Sequence, residues 1–356
     1  MSKKINSFLR SDIASLAEYK ISDSENMVKL DAMENPFNQD LSFKIADSFE
    51  NSANLNRYPD ANCERLKAIL RERNKIKNNY EIIIGNGSDE LIQLICLAFL
   101  KPENIVMSPA PSFSMYKKIS NTLNLKFEEV SLKHDFSLDT ELMLEKIKEL
   151  NPAIIFLAFP NNPTGNLWSK NDIDLIINQA NGLVVIDEAY GAFAGESFLS
   201  DIDKYENLII MRTLSKIGLA GIRVGYLIGE SSLIQNINKL RLPFNINSIS
   251  QKVSEIYIEN ETFVQEQVNK ISKHKKDLID KMKKIHGIMV YESSTNFILF
   301  KILNGSAKDV FRDLLSDNIL IKDVSDIEGL EDCLRVTVGS ENENEQFIQS
   351  LKNSII

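Results

Sequence analysis

The chain has 356 residues, of which 43% are apolar and 26% are charged, and its formal net charge at pH 7 is −9. This length predicts two domains, or one large domain that carries a smaller one. The acidic balance argues against a nucleic-acid-binding protein, because proteins that follow phosphate backbones usually carry a surplus of basic residues.

The cellular location can be predicted from two features of the sequence. The three cysteines are widely spaced, and the N-terminal region has no apolar signal segment. The cysteines form no C-x-x-C pair and no even set that would suggest disulfides, which favours a reducing compartment. The most apolar stretch, LIQLICLAFL at 91–100, is too short to cross a bilayer and is interrupted by Gln93. We therefore expect a cytoplasmic protein that does not associate with membranes.

Residues 1–35 show no strong pattern, and we expect them to form an N-terminal arm that packs with a small domain. The next part of the chain, 36–245, alternates short apolar runs with amphipathic stretches such as 88–100 and 169–180. The apolar runs that predict buried strands are 81–85, 104–108, 153–159, 183–187, 207–211 and 224–229. Because this alternation is typical of a mostly parallel sheet covered by helices on both faces, 36–245 is predicted to be a large α/β domain.

The pattern changes after residue 245. A long helical stretch rich in Lys and Glu, about 249–286, precedes the apolar segment 287–303. A helix at 307–318 and a strand at 333–339 follow. This order predicts a smaller α+β domain over 246–356.

Polar motifs follow four of the predicted strands, at the ends where open α/β sheets bind their ligands. The first motif, GNGSDE at 85–90, joins a strand to a helix, and the helix-start N–H groups at Ser88 and Asp89 suit an anion. The second motif, FPNNPTGN at 159–166, places two asparagines in a turn. The third, VVIDEAYGAF, brings Asp187, Glu188 and Tyr190 to a strand end.

The fourth motif is MRTLSKIGLAGIRVGY at 211–226, and it contains the set Thr213, Ser215, Lys216 and Arg223. Two hydroxyls and an arginine suit a phosphate, because the guanidinium donates in a fork. Lys216 suits either the same anion or a carbonyl carbon. The pair Asp187 and Glu188 also leaves a magnesium site open, although none of the three histidines has ligand spacing.

One ligand, a phosphorylated pyridine aldehyde, would give all four motifs a role. Its phosphate would bind the hydroxyls and the arginine, and its aldehyde would condense with Lys216. A buried Asp187 would keep the ring nitrogen protonated, so that the ring withdraws electrons. Asn162 and Tyr190 would contact the ring hydroxyl, and an aromatic side chain at 111–116, Phe113 or Tyr116, would cover the ring face.

The motifs GNGSDE, PNNPTG, DEAY and RTLSKIGLAGIRVGY together resemble those of the fold-type I pyridoxal-phosphate-dependent aminotransferases, and most of all the histidinol-phosphate aminotransferases among them. The resemblance runs from LDAMENPF at 30–37 and RYPD at 57–60 to NFILF at 296–300 and CLRVTVGS at 333–340. It implies an α/β fold with a large domain, a smaller α+β domain, pyridoxal 5′-phosphate as cofactor, and a homodimer.

The resemblance also implies roles for individual residues. Lys216, Asp187 and Tyr190 would be catalytic, with Lys216 bound to the cofactor and later moving the proton. The residues that it assigns to the cofactor are Ser88, Asp89, Phe113, Asn162, Asp187, Tyr190, Thr213, Ser215, Lys216, Arg223 and, from the neighbouring subunit, Tyr58. Those that it assigns to the substrate are Tyr19, Asn35, Lys322 and Arg335.

Two departures from the family pattern stand out. The segment from Lys216 to Arg223 is one residue shorter than in many members, and we expect a tighter loop there. Lys322 stands where members typically have a second arginine for the substrate, and a lysine keeps the charge without the forked geometry.

The function implied is transamination of histidinol phosphate with 2-oxoglutarate in histidine biosynthesis. The alternatives on the same fold are an aromatic or broad-range aminotransferase and a threonine-phosphate decarboxylase. A cofactor-binding regulator is disfavoured, because no segment is left over for a DNA-binding domain. A serine hydrolase is disfavoured because the chain has no G-x-S-x-G motif.

Overall fold

A computed structural model of the chain describes residues 8–15, 24–37 and 55–355. In chain order, the described strands are β1 (Val28–Lys29), β2 (Tyr80–Asn86), β3 (Ile105–Ala110), β4 (Lys126–Ser131), β5 (Ile154–Ala158), β6 (Leu183–Asp187), β7 (Leu208–Thr213), β8 (Val224–Glu230), β9 (Ile288–Val290), β10 (Phe297–Ile302), β11 (Ile319–Leu320), β12 (Lys322–Asp323) and β13 (Cys333–Thr337). The described α-helices are α1 (Glu64–Arg73), α2 (Gly87–Ala98), α3 (Met115–Thr122), α4 (Thr140–Leu150), α5 (Lys170–Gln179), α6 (Gly191–Ala194), α7 (Ser231–Asn238), α8 (Ser248–Glu259), α9 (Glu261–Met282), α10 (Ala307–Ser316) and α11 (Glu341–Ser354).

The larger sheet of the described residues has seven strands in the order β2-β8-β7-β6-β5-β3-β4. Strand β8 runs antiparallel to β2 and β7, and the other neighbouring pairs are parallel. Every residue of β5 and β6 is buried, as expected for apolar strands covered on both faces. The predicted fold class, a mostly parallel sheet flanked by helices, is confirmed.

Two apolar cores lie on opposite faces of this sheet, because successive side chains of a strand point in opposite directions. On β5, Ile155 and Leu157 pack in one core with residues of α1, α4 and α5. Ile154 and Phe156 pack in the other with residues of α2, α3 and α7. The sheet is thereby held between helices, and its carboxyl edge is left for the polar motifs.

A second, antiparallel sheet has the order β12-β13-β10-β9. Its apolar side chains, such as Phe300 and Leu334, share a core with α9, α10 and α11. Strand β1 pairs in parallel with β11, and the N–H of Thr337 donates to the carbonyl of Leu30 at 2.8 Å. The division into an arm over 1–35 and two domains over 36–245 and 246–356 stays a prediction.

The single long helix predicted at about 249–286 is divided in the structure into α8 and α9. Asn260 separates them with non-helical dihedral angles, φ −90° and ψ 62°, and its side-chain amide donates back to the carbonyl of Ile256 at 2.5 Å. The side chain of an asparagine competes with helix hydrogen bonds in this way. Within residues 8–15, 24–37 and 55–355, no helix is both long and apolar enough to cross a membrane.

Candidate active site

A cavity of about 390 Å³ opens at the carboxyl edge of the large sheet. The predicted site residues that line it are Ser88, Asp89, Phe113, Asn162, Asp187, Tyr190, Thr213, Ser215, Lys216, Arg223, Lys322 and Arg335. Asn35 and Tyr58 lie outside this lining, and Tyr19 lies outside the described residues. The lining residues between Ser88 and Arg223 share the cavity because the strands of the large sheet meet at one edge, whereas Lys322 and Arg335 reach it from the second sheet.

One end of the cavity is built for an anion. The Thr213 hydroxyl donates to the Ser215 hydroxyl at 3.0 Å, and Arg223 Nη1 donates to the same Ser215 oxygen at 3.3 Å. Arg223 Nη2 lies 3.5 Å from a carboxylate oxygen of Asp89, in the first turn of α2. Hydroxyls, a guanidinium and the N-terminus of a helix therefore converge on one space, an arrangement that favours a phosphate.

Two glycines allow close approach of neighbouring segments at this anion-binding end. A Cβ atom on Gly87, whose φ is +79°, would lie 2.5 Å from Arg223 Nη2. A Cβ atom on Gly225 would lie 2.9 Å from the Ser88 nitrogen. Arg223 itself adopts a left-handed φ of 55°, which costs a non-glycine residue on the order of 1 kcal/mol. The segment around Lys216 and Arg223 contains two short 3₁₀ turns, Ser215–Ile217 and Ala220–Ile222.

Lys216 lies in the first of these turns with its amine inside the cavity. Its Nζ donates to the carbonyl of Ala32 at 3.2 Å and lies 5.8 Å from the centre of the Tyr190 ring. Burial, together with the positive charge of Arg335, lowers the pKa of Lys216 to about 8. A lysine with a depressed pKa is more often neutral near pH 8, and a neutral amine can attack a carbonyl carbon.

Asp187 is the last residue of β6, and its side chain is buried. The Tyr116 hydroxyl donates to Oδ2 at 2.6 Å, and the N–H of Ala189 donates to Oδ1 at 3.0 Å. Burial raises the pKa of Asp187 to about 6, while the two hydrogen bonds oppose that rise. A buried carboxylate of this kind is stabilised by a cationic group that enters the cavity.

The neighbouring carboxylate, Glu188, has a different environment. Arg212 donates to its Oε2 from Nε at 2.9 Å and from Nη2 at 2.7 Å, and the Ser197 hydroxyl donates to it at 2.9 Å. Glu188 is therefore paired with Arg212 within the protein, and it is not available as the second carboxylate of a magnesium site. Among the described residues, no group of three or more His, Cys, Asp or Glu side chains could hold a metal ion.

Two cationic side chains on paired strands also line the cavity. Arg335 and Lys322 are partners in the β12–β13 register, and both line the cavity. The Arg335 guanidinium donates to Oδ1 of Asn162 at 2.5 Å and to the carbonyl of Asp31 at 2.9 Å. It also lies 5.2 Å from the centre of the Phe297 ring. This arrangement suits an anionic group of a second ligand.

The segment Asp31–Met33, within the motif LDAMENPF, also lines the cavity, although no role was predicted for its residues. Its backbone carbonyls accept hydrogen bonds from Lys216 and Arg335, and the identity of a side chain does not reveal such a role of the backbone. Nearby, the Asn35 side chain contacts backbone atoms: its amide donates to the carbonyl of Ile217 at 3.5 Å, and its oxygen accepts from the Phe37 N–H at 2.9 Å.

Comparison with known proteins agrees with this geometry. The sequence model of the family "Aminotransferase class I and II" matches residues 25–351. Histidinol-phosphate aminotransferase 2 of Nitrosococcus oceani is 42% identical over 353 residues, which cover 98% of each chain.

Solved structures give the same picture. The crystal structure of the histidinol-phosphate aminotransferase from Clostridium acetobutylicum matches with a TM-score of 0.84 and 26% identity, covering 91% of this chain and 98% of that one. The Sinorhizobium meliloti histidinol-phosphate aminotransferase in complex with pyridoxal-5′-phosphate has the same fold, with a TM-score of 0.87 at 22% identity and 98% coverage of both chains. The resemblance predicted from the motifs is confirmed, and the chain belongs to the class I and II aminotransferase family.

Proposed function

We propose that this protein is a pyridoxal-phosphate-dependent aminotransferase that transfers the amino group of L-histidinol phosphate to 2-oxoglutarate. The products are imidazole-acetol phosphate and glutamate, and the reaction belongs to histidine biosynthesis. The full-length similarity to histidinol-phosphate aminotransferases supports the substrate. The observation that carries the reaction type is the buried Lys216 amine, which shares a cavity with an anion-binding end and with the buried carboxylate of Asp187.

The residues of the cavity fit this cofactor. Thr213, Ser215 and Arg223 would hold its phosphate at the start of α2, where the absence of a side chain at Gly87 leaves room for the Arg223 guanidinium. Asp187 would pair with the ring nitrogen. The remaining contacts would come from Asn162 and Tyr190 at the ring hydroxyl, Phe113 at the ring face, and Ser88 and Asp89 at the phosphate. When bound, the cofactor withdraws electrons from the reacting carbon and carries the amino group between the two half-reactions.

Lys216 would act as the base and acid of the reaction. Its amine removes the proton from the carbon that bears the substrate amino group and returns that proton on the cofactor side. The carbonyl of Ala32, 3.2 Å from Nζ, helps to orient the amine within the cavity. Because burial brings the pKa of Lys216 to about 8, a useful fraction of the amine is neutral near physiological pH.

Arg335 would bind the anionic end of each substrate in turn. Glutamate and 2-oxoglutarate present a carboxylate there, whereas histidinol phosphate presents a phosphate, and a guanidinium can bind both in a forked geometry. Lys322, its partner across the β12–β13 pair, adds a second positive charge. Tyr19 and Asn35 complete the proposed substrate set. The substitution Arg335→Ala should raise KM for the substrates of both half-reactions, and an unchanged KM in both would contradict this role.

We also propose that the protein works as a homodimer in the cytoplasm. The Tyr58 side chain is 82% exposed, stacks on Phe244 with ring centres 4.5 Å apart, and lies with the exposed Leu55 and Leu242 among the large apolar residues that reach solvent. Phe244 is itself 39% exposed, and two stacked aromatic side chains that reach solvent suit a subunit interface. All three cysteines are free and buried, as in proteins of a reducing compartment.

A complementation experiment tests the shared site. Lys216→Ala and Tyr58→Ala protomers are each expected to be nearly inactive. If Tyr58 reaches the neighbouring subunit's cofactor, a mixed dimer contains one complete site, so unfolding and refolding the two variants together should restore a substantial part of the activity. No recovery from a mixture that has formed mixed dimers would contradict the proposal.

An assay of amino donors tests the reaction itself. Purified protein with pyridoxal 5′-phosphate and 2-oxoglutarate should form glutamate with histidinol phosphate, and Lys216→Ala should not. Aromatic amino acids as donors test the broad-range alternative, and CO₂ release from threonine phosphate tests the decarboxylase alternative. Glutamate formation from aromatic donors alone, or CO₂ release without glutamate, would replace the proposed substrate.

A further inference from the structure

Tyr116, in the first turn of α3, is fully buried and connects two of the residues proposed to touch the cofactor. Its hydroxyl donates to Asp187 Oδ2 at 2.6 Å. Its ring meets the ring of Phe113 edge to face, with centres 5.4 Å apart and an interplanar angle of 86°. On its other side it stacks on Phe156 of β5, with centres 4.6 Å apart and an angle of 5°.

The packing leaves Tyr116 little freedom to move. Phe156 is fixed within β5. An aromatic pair in parallel contact stabilises the fold by about 0.5–1.5 kcal/mol in addition to the stabilisation that comes from burying its surface. The hydroxyl is therefore presented to Asp187 by a rigid support. The N–H of Ala189 holds the other carboxylate oxygen, so the two donors together fix the orientation of the carboxylate.

The hydrogen bond also acts on the charge of Asp187. A donor that points at a carboxylate favours its ionised form, and here it opposes the effect of burial and of the nearby carboxylates Asp89 and Glu188. A more stable anion at Asp187 has less tendency to take the proton from a pyridine nitrogen. With the cofactor bound, the proton shared between the ring nitrogen and Asp187 would then stay on the nitrogen, and the protonated ring would withdraw electrons.

We propose that Tyr116 is a positioning residue of the aminotransferase reaction. Its hydroxyl orients Asp187 and favours the ionised form of that carboxylate, and its ring orients Phe113. The inference rests on the proposed function, because it takes Asp187 as the partner of the ring nitrogen. It adds a residue that would not contact the cofactor itself but would act on it through Asp187 and Phe113.

The substitution Tyr116→Phe tests the hydroxyl and keeps the ring in place. In the holoenzyme, the absorbance titration of the lysine–cofactor chromophore should move its midpoint up by roughly one pH unit, since a less electron-poor ring makes the imine more basic. The Kd of the cofactor, measured by adding it back to cofactor-free protein, should rise roughly tenfold. The kcat should fall roughly tenfold, with the KM of histidinol phosphate changed less than twofold.

Tyr205→Phe is the matched control. The Tyr205 hydroxyl also donates to a carboxylate, Asp174 Oδ1 at 2.7 Å, but it does so between the loop before β7 and α5. Its removal should leave the midpoint, the Kd and the kcat unchanged. A Tyr116→Phe protein that matches this control in all three measurements would overturn the proposal, and so would a loss of thermal stability without a shift of the midpoint.

A double-variant cycle separates this inference from the proposed function. If Tyr116 acts through Asp187, Tyr116→Phe should have little further effect in an Asp187→Asn protein. Independent, additive shifts would contradict the inference. If Asp187→Asn itself leaves the midpoint unchanged, the assignment of Asp187 to the ring nitrogen fails, and the inference fails with it for that distinct reason.

Discussion

Replacing Lys216 with methionine should abolish transamination and make the cofactor-free protein more stable. Burial lowers the pKa of Lys216 from its ordinary 10.5 to about 8, which at about 1.36 kcal/mol per pH unit corresponds to about 3 kcal/mol of cost for holding the ammonium in the folded cavity. Methionine removes that cost with a side chain of similar length. It also loses the hydrogen bond to the Ala32 carbonyl, at about 1 kcal/mol, so the net gain at pH 7 should be about 2 kcal/mol.

The stability advantage of Lys216→Met should depend on pH. Because the folded-state pKa lies below the unfolded one, the cost is fully present below about pH 8, decreases between pH 8 and 10.5, and disappears above that range. Urea denaturation of the cofactor-free proteins from pH 7 to 10 measures the difference. The advantage of Lys216→Met should shrink over this range, while Lys101→Met, at an exposed position, should match the unsubstituted protein throughout. A methionine variant that is no more stable at pH 7, or whose advantage is independent of pH, would refute the reasoning.

Two further predictions concern the anion-binding end and the Arg212–Glu188 ion pair. Gly87→Ala should raise the cofactor Kd by roughly tenfold or more, because the added Cβ would lie 2.5 Å from Arg223 Nη2 at a positive φ. The control is Gly221→Ala, in the loop that carries Arg223, where an added Cβ meets nothing within 4 Å and cofactor binding should be normal. Equal affinities of the two variants in a cofactor titration would be the contrary result. Arg212→Met should lower the free energy of unfolding by about 3–5 kcal/mol, because it leaves the Glu188 carboxylate buried without its cation. Adding Glu188→Gln should recover much of that loss in chemical denaturation, and a double variant as unstable as the single one would contradict this explanation.

Much of the architecture could be predicted because its signals are local. Uninterrupted apolar runs such as 153–159 and 183–187 predicted buried parallel strands, and the structure has β5 and β6 there, buried at every residue. The motif at 211–226 could be interpreted in the same way, because its hydroxyls, lysine and arginine follow one strand end and share the cavity. Elements and site residues that lie close together in sequence could therefore be predicted from it.

The parts that could not be predicted depend on contacts between distant segments. Tyr116 was considered only as a cover for the ring, since nothing in its neighbourhood in sequence indicates that its hydroxyl reaches Asp187, 71 positions away. The role of Ala32 is carried by a backbone carbonyl, and any residue type provides one. Asp187 and Glu188 are adjacent and chemically alike, and only the position of Arg212 shows that one faces the cavity while the other forms an internal ion pair.

The most direct test of the account is to identify the lysine that binds the cofactor. Purified protein loaded with pyridoxal 5′-phosphate is reduced with borohydride, digested and analysed by mass spectrometry. The account predicts one stoichiometric phosphopyridoxyl group on the peptide that contains Lys216, and a protein with arginine at that position should retain none. A label on another lysine, such as Lys322 or Lys275, or a loaded protein that borohydride leaves unlabelled, would contradict it.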